Sequence, residues 1–182
     1  MKYVEDVSGS FVDGTIEKLL ITVISAYIIF TLMSYLNLKP ILEAIIPLKA
    51  PFKNISVLGG FLIVFWVSLA YRSCGRGYGI ATALLAISFC LFVSPWYDVI
   101  KPYWFSLVGF ISFLALGILT EYVNGGVANL VCILINWFFA VFAGIVEFHP
   151  IAFAILGVVA FISGYVGDYV AGKAINLIKN VL

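Results

Sequence analysis

The sequence predicts an all-α integral membrane protein in which six transmembrane helices form a bundle. The composition is the first reason, because 64% of the residues are hydrophobic and only 10% are charged, with a mean hydropathy of +1.16. Soluble domains have about 45–50% apolar and about 25% charged residues, so most of this chain needs lipid as its solvent. The second reason is that the apolar runs do not alternate at period two, as the strands of a membrane barrel would.

About 20 apolar residues cross a bilayer as a helix, and turn residues or charges separate such runs here. The six candidate spans are approximately 16–36, 55–72, 78–94, 103–123, 127–147 and 150–178. Residues 1–15 are polar and mixed in charge, unlike a signal peptide, so we expect this segment to be retained. We therefore expect one integral membrane domain over residues 1–182, with the polar segment 1–15 followed by the bundle at 16–178.

Segment 37–54 differs from the other connections. It contains an apolar set between Pro40 and Pro47 but is too short to span the membrane. An interfacial or re-entrant segment between the first two helices fits it better.

Six spans place both termini on the same side of the membrane. That side carries six basic residues and the other side carries four: Lys2, Lys18, Arg72, Arg76, Lys173 and Lys179 against Lys39, Lys49, Lys53 and Lys101. The positive-inside rule then predicts a multi-pass protein of the cell membrane with both termini in the cytoplasm. Segments 37–54, 95–102 and 147–149 consequently share the outer face.

Small residues recur every four positions in the sixth span. One row is Ala160, Gly164 and Asp168, and the next is Ser163, Gly167 and Ala171. Such rows let helix backbones approach closely in a membrane. They favour packing inside the bundle over docking of another membrane subunit, although the sequence leaves both open.

Glu121 and Asp168 are acidic residues in the predicted fourth and sixth spans, where a charge is costly. We expect Glu121, at the end of the fourth span, to be a solvated cap. We expect Asp168, which lies about one turn from Lys173 on the same helix, to form either an internal ion pair or a snorkelling pair.

Asn136 and Trp137 lie near the middle of the fifth span. A buried amide needs a hydrogen-bond partner, which another helix or a polar cavity could supply. Tryptophan normally anchors at the membrane interface rather than at mid-span. The pair slightly favours a cavity.

The stretch SPWYDVIKPYW at 94–104 combines aromatic residues, two prolines and an acid. An interfacial aromatic belt explains the rings, but it requires neither the prolines nor Asp98. Glu147 and His149, the only histidine, would face the same compartment. A pocket there would join apolar walls to a few polar groups. The candidate binding residues are Trp96, Tyr97, Asp98, Tyr103, Trp104, Asn136, Trp137, Glu147 and His149.

Catalytic and cofactor motifs are lacking in the sequence. The three cysteines are scattered, and no zinc-protease, nucleophile-elbow or phosphate-loop motif occurs. We therefore expect neither an enzyme, a metal site nor a cofactor. The net charge of +1 gives no reason to expect nucleic acid as a partner.

Two stretches resemble the substrate-binding S components of energy-coupling factor (ECF) vitamin transporters, and are most similar to the hydroxymethylpyrimidine/thiamine type. FISGYVGDYVAGKAINLI at 161–178 looks like the glycine-rich closing helix of that family, and RGYGIATALLAISFCLFVSPW at 76–96 looks like its basic turn, small-residue helix and outer loop. The resemblance in pattern covers roughly residues 55–180. It departs from the family at Ala26, which is followed four residues later by Phe30 rather than by another alanine.

The resemblance implies a membrane-embedded subunit that binds a small vitamin or vitamin precursor for uptake, together with separate scaffold and ATPase subunits. The ligand would lie under the loops at 37–54, 95–102 and 147–150. Aromatic rings would stack on it, Asp98 or Glu147 would pair with its cationic or amine group, and Asn136 would bond to it at the pocket floor. The alternative is a structural, accessory or pore-forming subunit of a larger membrane complex.

Overall fold

The computed structural model describes residues 12–34, 57–92, 104–144 and 146–181. These residues form six α-helices and contain no strand, which confirms the predicted all-α class. The helices are α1 (Thr15–Ser34), α2 (Val57–Cys74), α3 (Tyr78–Phe92), α4 (Phe105–Tyr122), α5 (Gly125–Phe142) and α6 (Pro150–Val181). The predicted interfacial segment 37–54 lies outside the described residues.

Helix α2 lies at the centre of the bundle and contacts each of the other five helices. Around it the order is α1, α3, α4, α5 and α6, and each of these packs against the next. The core consists largely of aliphatic and small side chains such as Val64, Val67, Ile87 and Leu116, all of them fully buried.

In the described part of the chain, three helices are long and apolar enough to cross a membrane, within Thr15–Met33, Gly125–Phe142 and Pro150–Asn180. The other apolar helical stretches are shorter, at Gly60–Cys74, Tyr78–Phe92 and Ser106–Tyr122. The 15 residues of α3 extend over about 22 Å, against about 30 Å of hydrocarbon. The six-span count therefore stays a prediction.

Large apolar side chains also cover the outside of the bundle. Examples are Ile16 on α1, Leu107 on α4 and Val158 on α6, which are 74%, 63% and 59% exposed. A surface of this kind fits association with a membrane, since it would be unfavourable in water.

The small-residue rows of α6 pack inside the bundle. A Cβ added at Gly167 would lie 2.5 Å from the carbonyl oxygen of Phe61 on α2, and one at Gly164 would collide with the carbonyl oxygen of Gly125 on α5. Ala160, Ser163 and Ala171 are buried as well. The rows thus allow α6 to approach two helices at once.

The short connections follow from turn chemistry. Gly75 and Gly77, between α2 and α3, adopt positive φ angles of 101° and 90°, which side chains with a Cβ rarely tolerate. Asn124 caps α5, because its side chain accepts a 2.8 Å hydrogen bond from the backbone N–H of Val127. The helix consequently begins at Gly125, two residues before the predicted boundary.

Candidate functional site

The two ends of the bundle differ in chemistry. At one end, called the aromatic end, α5 finishes while α4 and α6 begin. At the other, called the basic end, α2 and α4 finish while α1, α3 and α5 begin. Of the predicted binding residues, Trp96, Tyr97, Asp98 and Tyr103 lie outside the described residues. The described ones are Trp104, Asn136, Trp137, Glu147 and His149, and all belong to α5 or to the aromatic end.

Trp104 precedes α4 and packs against the last turns of α5. Its ring lies edge-on to Phe139 and Phe142, with centroid distances of 6.2 and 6.5 Å. Edge-to-face pairs of this kind are worth about 0.5–1.5 kcal/mol beyond the burial of area. Trp104 therefore joins two helices, and its ring is 39% exposed at the bundle surface.

A second group of rings joins α5 to α6. Trp137 meets Phe153 edge-on at 4.9 Å, and Phe153 also packs against Phe148 of the connection at 5.0 Å. Trp137 thus packs between two helices, five residues before α5 ends at Phe142.

A cleft of about 260 Å³ opens beside these rings. It is lined by Phe138, Val141 and Phe142 of α5, by Phe148 of the connection and by Phe153 of α6. All five side chains are apolar, so the cleft suits a flat or aliphatic group and offers no hydrogen bond from its lining.

Glu147 and His149 flank Phe148 in the chain and supply polar groups next to the cleft. His149 Nε2 lies 3.5 Å from Glu147 Oε2, with the two side chains 50% and 92% exposed. The structure therefore brings the predicted acid and imidazole together. The exposed carboxylate leaves room for a second partner.

Within the described part of the chain, Asn136 shows no interhelical hydrogen bond, which was one of the two alternatives for it. Its amide nitrogen donates to the carbonyl oxygen of Cys132 at 2.8 Å, one turn earlier in the same helix. The residue is half-buried and does not line the cleft. Its predicted role at a pocket floor gains no support from this geometry.

The interhelical amide of α5 is Asn129, which the sequence analysis missed. Asn129 Nδ2 donates to the carbonyl oxygen of Ala160 at 2.7 Å and to Ser163 Oγ at 3.1 Å, both on α6. The side chain is only 2% exposed. The sequence could have indicated this role, because Asn129 lies one turn after Gly125 on the helix face that meets the small residues of α6.

At the basic end, Asp168 forms an ion pair with Arg72 inside the bundle, which is the first of the two alternatives, and not a snorkelling pair with Lys173. Asp168 Oδ1 accepts hydrogen bonds from Arg72 Nη2 and Ser68 Oγ, each at 2.8 Å, and Oδ2 accepts one from the backbone N–H of Gly125 at 3.2 Å. Lys173 instead lies 5.7 Å from the ring of Tyr169. The carboxylate joins α6 to α2 and α5 because it faces the bundle, whereas Lys173 is exposed.

Glu121 is also not the solvated cap that was expected, since it is only 6% exposed. Its oxygens accept hydrogen bonds from the backbone N–H groups of Gly77 at 2.8 Å and Ile80 at 3.0 Å. A carboxylate is favourable at this position because the first N–H groups of a helix lack partners and carry partial positive charge. Glu121 of α4 therefore caps the neighbouring helix α3.

These two buried acids accept hydrogen bonds that join neighbouring helices. Among the described residues, no group of three or more His, Cys, Asp and Glu side chains could hold a metal ion. None of the five described candidate binding residues lines the cleft at the aromatic end, although Glu147 and His149 flank its lining residue Phe148 in the chain.

No protein-family model, curated protein or solved structure matches the chain.

Proposed function

We propose that the chain is a membrane-embedded substrate-binding subunit for uptake of a small vitamin or vitamin precursor. The observation that carries the proposal is the cleft at the aromatic end, with the Glu147–His149 pair beside it. Its volume of about 260 Å³ is just below the range of about 300–1,000 Å³ for small-molecule sites. An apolar wall with few polar groups is also the composition such sites have.

The ligand that this arrangement favours has a flat ring and a cationic or amine group. The ring would stack on the aromatic side chains, and Glu147 would pair with the positive group at the exposed edge. Asp98 is six residues from Trp104, which limits their Cα separation to about 20 Å, so the chain allows it to reach the same ligand. The resemblance to S components of the hydroxymethylpyrimidine/thiamine type favours a ligand of that chemistry.

The membrane arrangement we propose has six spans in the cell membrane and both termini in the cytoplasm. Among the described residues, Lys18, Arg72 and Arg76 lie at one end of the bundle, while Trp104 lies at the other end against Phe139 and Phe142. This segregation supports a cytoplasmic basic end under the positive-inside rule.

Transport would require a separate scaffold and ATPase subunits, since the sequence contains no nucleotide-binding motif. The scaffold would not dock on the face of α1 that carries Ala26 and Phe30, the face that corresponds to the alanine row of the S components. Both residues are buried in the core, at 0% and 3% exposure.

The proposal is tested by native mass spectrometry of the purified chain, followed by calorimetric titration with thiamine and with hydroxymethylpyrimidine. We expect a small nitrogen heterocycle to co-purify, or one of the two compounds to bind with one-to-one stoichiometry. Absence of any co-purified molecule and of binding would favour the structural or accessory subunit instead.

A further inference from the structure

Four cation–tyrosine pairs lie at the basic end of the bundle. The cationic groups and ring centroids are 5.4–6.0 Å apart in the pairs Lys18–Tyr78, Arg72–Tyr71, Arg76–Tyr122 and Lys173–Tyr169. Tyrosine favours the headgroup region of a membrane because its ring is apolar and its hydroxyl is polar. Tyr71 is buried, whereas Tyr122 and Tyr169 are exposed at the bundle surface, where lipid headgroups would meet the cations beside them.

Two of the acids at this end, Asp168 and Glu121, are buried and already hydrogen-bonded, whereas Asp13 and Glu17 at the start of α1 are exposed. Asp168 is bound by Arg72, Ser68 and Gly125, and Glu121 by two backbone N–H groups of the α2–α3 turn and α3. In the described part of the chain, no carboxylate lies within 4.0 Å of the cationic groups of Arg76 or Lys173. Both residues are exposed, so their charge remains available to an anion from outside.

The guanidinium of Arg72 offers further N–H donors at the basic end. Its Nε and Nη2 atoms bond to Asp168 at 3.3 and 2.8 Å, and the side chain is still 30% exposed. The guanidinium lies against Gly172, where an added Cβ would be 3.5 Å from Nη1. Lys173 follows directly in the sequence, which places its backbone beside the guanidinium.

We propose that the basic end binds anionic phospholipid headgroups, through Arg76, Lys173 and the exposed edge of Arg72. The occupant is a lipid rather than a free anion because Tyr122 and Tyr169, 62% and 55% exposed, continue into the apolar outer surface. An acyl chain can lie along that surface while the phosphate meets the cations. This inference goes beyond the proposed function, since the aromatic cleft lies at the opposite end.

The experiment is native mass spectrometry of the full chain after reconstitution in an equal mixture of phosphatidylglycerol and phosphatidylcholine. We expect phosphatidylglycerol to be retained preferentially. Arg76→Gln and Lys173→Gln should each lower that preference about fivefold, since a basic residue near the surface contributes about 1 kcal/mol. Arg76→Lys should keep most of it.

Lys179→Gln is the matched control, because it removes one exposed charge from α6 six residues beyond Lys173 and should alter the preference less than twofold. Equal retention of both lipids by the unmodified chain would overturn the proposal. Equal effects of Lys173→Gln and Lys179→Gln would also overturn it. Displacement of the lipid by excess inorganic phosphate would show a site for free phosphate instead.

Discussion

Arg72 and Asp168 form a 2.8 Å ion pair that joins the end of α2 to α6, and the carboxylate also accepts the backbone N–H of Gly125. Three helices are therefore held by one side chain. Removing one partner of a buried ion pair leaves a charge with too few hydrogen bonds.

Arg72→Gln should destabilise the protein by about 1–3 kcal/mol, less than a fully buried pair would cost because the Arg72 side chain is 30% exposed. The measurement is thermal or denaturant unfolding in a neutral detergent. Arg76→Gln is the control, since Arg76 contacts a tyrosine ring and should cost less than about 1 kcal/mol. Equal losses in the two variants would contradict the assignment.

Gly164→Ala should be strongly destabilising, by about 1–3 kcal/mol, because the new methyl group would collide with the backbone of α5 at Gly125. Gly157 on the same helix is the control position. There an added Cβ would meet only Leu130 Cδ1 at 3.4 Å, so Gly157→Ala should be neutral or stabilising. The measurement is again unfolding in a neutral detergent. If alanine leaves the free energy of unfolding unchanged at both positions, α5 and α6 do not approach each other closely at Gly164.

Glu121→Ala should expose the beginning of α3, because the N–H groups of Gly77 and Ile80 would lose their acceptor. Hydrogen exchange at residues 77–81 should become faster, while exchange in the middle of α6 stays unchanged. Glu17→Gln, which removes an exposed acid at the same end of the bundle, provides the comparison. Unchanged protection in α3 would mean that Glu121 is not its cap.

The two asparagines of α5 should differ in their effect on stability. Asn129→Ala removes bonds between helices and should cost about 0.6–1.7 kcal/mol, the range measured for such bonds in membranes. Asn136→Ala removes a bond to its own helix and should cost less. If unfolding measurements reverse this order, the α5–α6 contact through Asn129 is not as described.

Sidedness can be measured by labelling single cysteines with a membrane-impermeant maleimide. Cys74, Cys90 and Cys132 are buried, so the native thiols should react slowly. Cysteine in place of Glu147 should react from outside intact cells, and cysteine in place of Lys179 should react only after the membrane is opened. Labelling of both cysteines from outside would contradict the prediction that an odd number of membrane spans separates positions 147 and 179.

The boundaries of the helices followed from the sequence to within about two residues at most ends, because glycine, asparagine and proline mark the turns. The hydrogen-bond and ion-pair partners of the polar side chains could not be predicted from the sequence. Asp168 and Lys173 are near neighbours in the chain, but Asp168 and Arg72 are 96 residues apart. Only the packing order of the helices around α2 brings the latter pair together.

The location of the candidate residues followed in part from the sequence. Trp104, Glu147 and His149 lie at the ends of apolar runs, which places them at one end of a bundle, and their role in binding stays a prediction. The cleft depends on Phe148 and Phe153, which the sequence analysis did not single out. Phe148 precedes α6 and Phe153 lies in its first turn, so their contact depends on how the connection meets the helix, which a linear pattern does not contain.

The most direct test of the account is the affinity of the purified chain for a thiamine-type ligand when the acids of the outer face are neutralised. Calorimetry should show that Asp98→Asn or Glu147→Gln weakens binding at least about tenfold, the loss expected when a charge-assisted hydrogen bond is removed. Glu17→Gln, at the opposite end of the bundle, should bind as the unmodified chain does. Full affinity in both Asp98→Asn and Glu147→Gln would contradict a ligand site at the aromatic end.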